Sequence, residues 1–239
     1  MLSRRRLNLR DRGVERVRPF VAEALGTGLL IVAVIGSGIM AERLSPSDVG
    51  LQLLENAAAT GAALIALILI FGSVSGAHFN PAVTLVARAH GTITTADASV
   101  HIVAQVLGGC VGAILANLMF DLPAIELSTQ DRSSGALWLS EVVATAGLLL
   151  VICGCLRTGR ANAVPYAVGL WIAGAYWFTS STSFANPAVT IARTLSDTFA
   201  GIKPSSVPMF ILMQLIGTGI ALALVSVLYP TRTPEIDRV

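Results

Sequence analysis

Charge is scarce in this sequence. Only 13% of its 239 residues are charged, against 54% hydrophobic, and the mean hydropathy is +0.74. Soluble domains carry about a quarter charged residues, so the composition excludes a water-bathed globule and points to a membrane protein. Cysteine is rarer still. Cys110, Cys153 and Cys155 fall in apolar stretches, where a free thiol serves as a small hydrophobe, and an odd count away from the loops gives no disulfide framework. Cys153-Gly154-Cys155 is too tight and too isolated for zinc. His78, His90 and His101 sit on different segments with no nucleophile or carboxylate cluster beside them, so no catalytic constellation forms. The expectation is a protein that is not an enzyme, with no metal site and no cofactor.

Long apolar runs are what the chain has in abundance. Six can cross roughly 30 Å of hydrocarbon: about 20–41, 52–72, 97–120, 136–156, 164–181 and 207–229. They divide the chain into a basic N-terminal segment (1–19), one membrane domain (20–229, with halves of approximately 20–120 and 136–229) and a short tail (230–239). Positive charge sets the orientation, because short cytoplasmic loops retain it. Arg4, Arg5, Arg6, Arg10, Arg12, Arg16 and Arg18 precede the first span. With the N-terminus inside, Arg88, Arg157, Arg160, Arg232 and Arg238 join them, leaving Arg43, Arg132, Arg193 and Lys203 outside. Both termini are therefore expected in the cytoplasm. A cleavable signal fits poorly, since the first apolar run is full-length without a small-residue cleavage site. No aromatic or zinc motif accompanies the arginines, which argues against nucleic acid as a partner.

Two copies of one pattern organise the membrane domain: His78-Phe79-Asn80-Pro81-Ala82-Val83-Thr84 and Phe184-Ala185-Asn186-Pro187-Ala188-Val189-Thr190. In each, Asn precedes Pro, where it can N-cap a helix whose first turn has N–H groups to spare and φ already fixed. A helix that starts among apolar spans is tolerated only where its irregular approach lines a cavity. Two such starts imply a pore. The halves answer each other elsewhere: Glu23 with Glu141, and Gln105 with Gln214. Three spans per half make the second copy enter upside down, so the two helix N-termini meet near the bilayer midplane. Each carries roughly half a positive charge, which repels cations, while the Asn80 and Asn186 amides can donate to a passing oxygen. Uncharged, hydroxyl-bearing solutes are favoured. Glu23 and Glu141, the acids well inside spans, read as acceptors for N–H groups of the adjoining re-entrant loops in preference to solute contacts. His78 is either a pore-lining donor or a packed loop residue. The glycines Gly26, Gly28, Gly72, Gly76, Gly108, Gly112, Gly217 and Gly219 read as close-packing positions between helices.

On both Asn-Pro-Ala motifs, the paired glutamates and the paired glutamines, residues 20–229 resemble the major intrinsic protein family of aquaporins and aquaglyceroporins. The resemblance implies an all-α membrane protein in the aquaporin fold, with six transmembrane helices plus two re-entrant half-helices in an inverted repeat. It also implies one pore per subunit, a constriction at Asn80, Pro81, Ala82, Asn186, Pro187 and Ala188, homotetrameric assembly in the inner (plasma) membrane, and passive conduction. One departure stands out. The family usually places Arg directly after the second Asn-Pro-Ala, and this sequence has Val189. Counting the family's offsets from the two motifs puts the remaining filter positions on Thr60, Gly174 and Ser183. A ring of Thr60, Gly174, Ser183 and Val189 is small, uncharged and wider than a water filter. Arg193, one turn beyond Val189, is read as contacting Asp197 or solvent, with a swing back towards the mouth as the alternative.

A second motif reading Asn-Pro-Ala-Val resembles bacterial channels associated with arsenic resistance. Trivalent arsenite at neutral pH is an uncharged tris-hydroxy species shaped much like glycerol, and a valine suits the methyl group of a methylated arsenical. The expected permeants are neutral metalloid hydroxides and glycerol, with water. An ordinary glycerol or polyol facilitator is the alternative, and a coupled transporter is disfavoured because no acid–base pair or sodium cage appears in the spans.

Overall fold

The structure, a computed structural model, describes the backbone of residues 9–230 and the side chains of residues 17–230. The arginine side chains before Val17 and the arginines of the tail lie outside the described residues. Among the described residues eight α-helices follow one another: α1 (Leu9–Leu44), α2 (Val49–Ser75), α3 (Pro81–Ala89), α4 (Thr95–Met119), α5 (Gly135–Arg157), α6 (Val164–Phe178), α7 (Pro187–Ala192) and α8 (Val207–Leu228). Among the described residues there is no strand. Five of the helices are long and apolar enough to cross a membrane. The sixth crossing, α6, is shorter: its 15 residues span about 22 Å at 1.5 Å per residue. It stops at Phe178, before the expected limit near 181, because the chain turns extended at Thr179 to begin the return into the membrane.

Side-chain caps start the helices where turns end. Asp48 accepts from Leu51 N (2.9 Å), Thr94 from Asp97 N (3.1 Å) and Ser134 from Leu137 N (3.4 Å), each satisfying an orphan donor of a first turn. Helix α1 packs on α2 and α4, while α5 packs on α6 and α8, and α2 meets α6 across the halves. Several crossings are set by glycine. A Cβ on Gly108 or Gly112 falls inside the α1 backbone at Ala24 or Gly28, one on Gly217 lies 2.7 Å from Val142 O, and one on Gly169 lies 2.6 Å from Gly61 O. Gly72 and Gly219 do not belong to this set, since a Cβ there meets nothing within 4 Å. Gly76 instead ends α2, at φ +86°. Outward faces carry exposed Leu25, Leu29, Val103, Leu107, Val111 and Val227, an apolar belt that only lipid or a neighbouring subunit can satisfy.

Candidate functional site

The two short helices begin face to face. Asn80 Oδ1 caps α3 by accepting from Ala82 N (2.9 Å), and Asn186 Oδ1 caps α7 by accepting from Ala188 N (3.0 Å) and Val189 N (3.2 Å). Pro81 and Pro187 occupy the first helical positions, and Ala82 and Ala188 are fully buried behind them. Each Asn amide then donates to the opposite loop, Asn80 Nδ2 to Ala185 O (2.8 Å) and Asn186 Nδ2 to Phe79 O (2.7 Å). One amide hydrogen per Asn is thus spent on holding the two motifs together, leaving the second for the cavity.

Behind each cap lies the same carboxylate network. Glu23 Oε1 accepts from Ser75 Oγ (2.6 Å) and His78 N (2.9 Å), and Oε2 from Phe79 N and Gln105 Nε2 (2.7 Å each). Glu141 accepts from Phe184 N (3.0 Å), Ala185 N (2.9 Å) and Gln214 Nε2 (2.7 Å). Gln105 and Gln214 also donate to Thr84 and Thr190 (2.9 Å each), whose hydroxyls donate back to Asn80 O (3.1 Å) and Asn186 O (2.8 Å). The loops need this anchoring, for Ala77, Phe79, Ser183 and Ala185 all take positive φ near 50°, strain that a side chain tolerates only when its surroundings hold it. Both glutamates are fully buried. His78 Nδ1 pairs with Thr84 Oγ1 (3.1 Å), and its ring lies at the cavity wall beside His101 (5.6 Å between centroids).

A cavity of about 810 Å³ runs past both motifs. At the α3 end its wall mixes apolar Leu149, Ile152 and Cys153 with polar His90, Thr92 and Asn162. At the α7 end Thr60, Tyr176, Ser183, Val189 and Arg193 converge, with Thr60 Oγ1 and the Tyr176 hydroxyl 3.3 Å apart. Ser183 is buried and its Oγ has no partner among the described residues. Three of the four positions expected to form the filter, Thr60, Ser183 and Val189, share this wall. Gly174 does not. It lies exposed on the outer face of α6, and the cavity-facing residue is Tyr176, 2% exposed. Two residues along an α-helix rotate the side chain by about 200°, so an offset counted back from Asn186 through the intervening loop lands on the opposite face once the count is two residues out. The periodicity of α6 carries the signal that offset counting misses: Val168, Ile172 and Tyr176 are buried and all line the cavity.

Arg193 also departs from expectation. Asp197 instead accepts from Thr129 N (2.8 Å) and Thr129 Oγ1 (3.1 Å), while Arg193 is 2% exposed, donates through Nε to Ala200 O and stacks on Phe184 with Cζ 3.5 Å from the ring centroid. Arg132, from the α4–α5 connection, lies over the same ring at 5.0 Å and donates through Nε to Gly201 O (2.9 Å). Burial pushes the Arg132 pKa below its ordinary value, partly countered by Glu141. Among the described residues no cluster of His, Cys, Asp and Glu can hold a metal.

The major intrinsic protein family model matches residues 11–182. The chain belongs to that family. It is 52% identical over 216 residues to an aquaglyceroporin, AqpS, of Rhizobium meliloti (strain 1021), covering 90% of this chain and 92% of that one. Aquaporin Z of Bradyrhizobium diazoefficiens is 31% identical over 169 residues, covering 64% of this chain and 69% of the relative. The X-ray structure of the aquaglyceroporin from Plasmodium falciparum aligns with a TM-score of 0.69 at 22% identity, over 90% of this chain and 96% of that one. The major intrinsic protein described here is thus a multi-pass membrane channel of the aquaporin and aquaglyceroporin class.

Proposed function

We propose that this channel passively conducts small uncharged solutes, namely neutral metalloid hydroxides (arsenite and methylated arsenicals) and glycerol, with water also permeating. The observation that carries the reading is Val189, buried in the cavity wall directly after the second Asn-Pro-Ala. A branched apolar side chain there removes both the bulk and the strong donors of an arginine, and suits the apolar side of a methylated solute. Opposite chemistry comes from the hydroxyls of Thr60 and Tyr176, so a solute with one polar and one apolar side is matched on both. The constriction is formed by Asn80, Pro81, Ala82, Asn186, Pro187 and Ala188, and selection falls to Thr60, Tyr176, Ser183 and Val189. The Thr60–Tyr176 hydroxyl pair also favours a second reading, an ordinary glycerol or polyol facilitator with incidental metalloid permeability. The protein works as a homotetramer in the inner (plasma) membrane with both termini cytoplasmic, and the channel domain spans 20–229.

Flux in proteoliposomes tests this. Water, glycerol, arsenite and a methylated arsenical are compared in the wild type and in Val189→Arg. Suppression of the larger solutes with water spared is expected. Identical profiles in the two proteins overturn the role given to Val189, and passage of water alone by the wild type overturns the solute assignment.

A further inference from the structure

Val189 leaves the outer mouth without a cation at the usual place, yet a buried guanidinium stands one helical turn further on. Arg193 is pinned by its Nε bond to Ala200 O and by the Phe184 ring. A guanidinium carries five N–H donors, and Nε accounts for one. Among the described residues neither Nη group has a protein acceptor, and neither is sealed away from the cavity that Arg193 lines. Desolvated charge of this kind is tolerated only when its donors find partners, and the cavity is where they remain to be found. Arg132 shows the contrast. Its guanidinium is turned onto backbone carbonyls, Gly201 O (2.9 Å), Ser181 O (3.4 Å) and Phe199 O (3.5 Å), and so clamps the outer loops.

The repeat shows that the fold does not demand a cation here. Seven residues after Asn80, where Arg193 stands after Asn186, the first half has Ala87, which also lines the cavity but at the other mouth. We propose that Arg193 is the specificity-determining cation of this channel. Its Nη groups offer donors to the hydroxyl oxygens of a neutral solute beside Thr60, Tyr176 and Ser183, and its charge excludes cations from a mouth that Val189 alone leaves open. This rests on the neutral-solute reading above for the identity of the permeant. Cation exclusion is tested separately.

Full-length protein is reconstituted in liposomes holding a trapped K⁺ indicator, and K⁺ entry is followed beside water and glycerol permeation. Arg193→Gln retains an N–H group near Ala200 O and removes the charge. K⁺ permeability is expected to rise by about tenfold or more, because a unit charge acts strongly in a constriction poor in water, with water flow maintained. Val189→Asp, which leaves Arg193 in place, is the second arm. A carboxylate four residues before an arginine on one helix face pairs with it and cancels its charge, so glycerol flux is expected to fall and K⁺ leak to rise as in Arg193→Gln. K⁺ entry in the wild type, or an Arg193→Gln or Val189→Asp variant as tight as the wild type, each overturns the proposal. A wild type that passes water but no glycerol or arsenite overturns the solute reading alone, and the K⁺ comparison still decides the role of Arg193.

Discussion

Glu23→Gln separates an anchor from a solute contact. The carboxylate receives four donors, two on each oxygen. A glutamine amide offers one oxygen and one NH₂ group in the same space, so whichever way it turns, the N–H of His78 or Phe79 faces another donor. That bond is lost and a buried N–H stays unpaired, at about 1–3 kcal/mol, while the side-chain partner of the same oxygen, Ser75 or Gln105, keeps a bond only by turning to accept from the new NH₂, and the three bonds left fall from charged to neutral strength, about 1 kcal/mol each. Relief from burying a carboxylate offsets several kcal/mol of this, leaving a net loss of about 2–3 kcal/mol. For a chain of this size each kcal/mol moves Tm by about 2–4 °C, so a fall of about 4–12 °C is expected. Thermal unfolding of the detergent-solubilised protein by tryptophan fluorescence reads it. Flux should drop for every solute in proportion, since the loop at His78 and Phe79 loses its position. An unchanged Tm together with a reordered solute preference would refute the anchoring argument and make Glu23 part of the solute path.

Tyr176→Ala should widen the outer end and raise flux of the bulkier solutes relative to water, whereas Gly174→Ala should leave all fluxes unchanged, because Gly174 lies on the outer face; light-scattering on liposomes distinguishes them. Gly108→Ala drives a Cβ into the Ala24 backbone and should cost about 1–3 kcal/mol or the folded yield itself, while Gly219→Ala, with open space around it, should stabilise α8 by about 1 kcal/mol, both read as Tm. Cys153 lines the α3 end of the cavity, so a small mercurial should block flux and Cys153→Ser should resist it; block persisting in the serine variant would place the reactive thiol elsewhere.

Where local chemistry repeats, the sequence was legible. Each Asn-Pro pair announces a capped helix start, and the spacing of the pairs alone establishes the duplication that puts Glu23 beside His78 and Phe79, and Glu141 beside Phe184 and Ala185. Thr84 and Thr190, each four residues after its Asn, follow the same duplication and went unread because a threonine in an apolar helix has no distinctive signature. The filter was legible only where the reference point and the residue share one rigid element. Val189 sits on the helix that Asn186 caps, but Gly174 was reached by counting through a loop whose length the fold is free to vary. Residue number fixes a side chain's direction along a helix and loses it across a loop.

The asymmetry of the channel therefore resides in few residues. Its scaffold pairs match across the halves, carboxylate for carboxylate and glutamine for glutamine, and even the positions three after each Asn agree, Val83 with Val189. A duplication so faithful at the scaffold gives two like mouths unless something breaks the likeness. On the α3 side Ala87 lines the cavity with Cys153, His90 and Asn162, and on the α7 side Arg193, Tyr176 and Thr60 gather donors and charge. A neutral solute entering from either side meets the same pair of asparagines, while a cation approaching the α7 mouth meets Arg193 before it reaches the helix N-termini. With Arg193 as the barrier, selection against charge is concentrated at the α7 end, and the matching position of the first half, Ala87, adds none at the other.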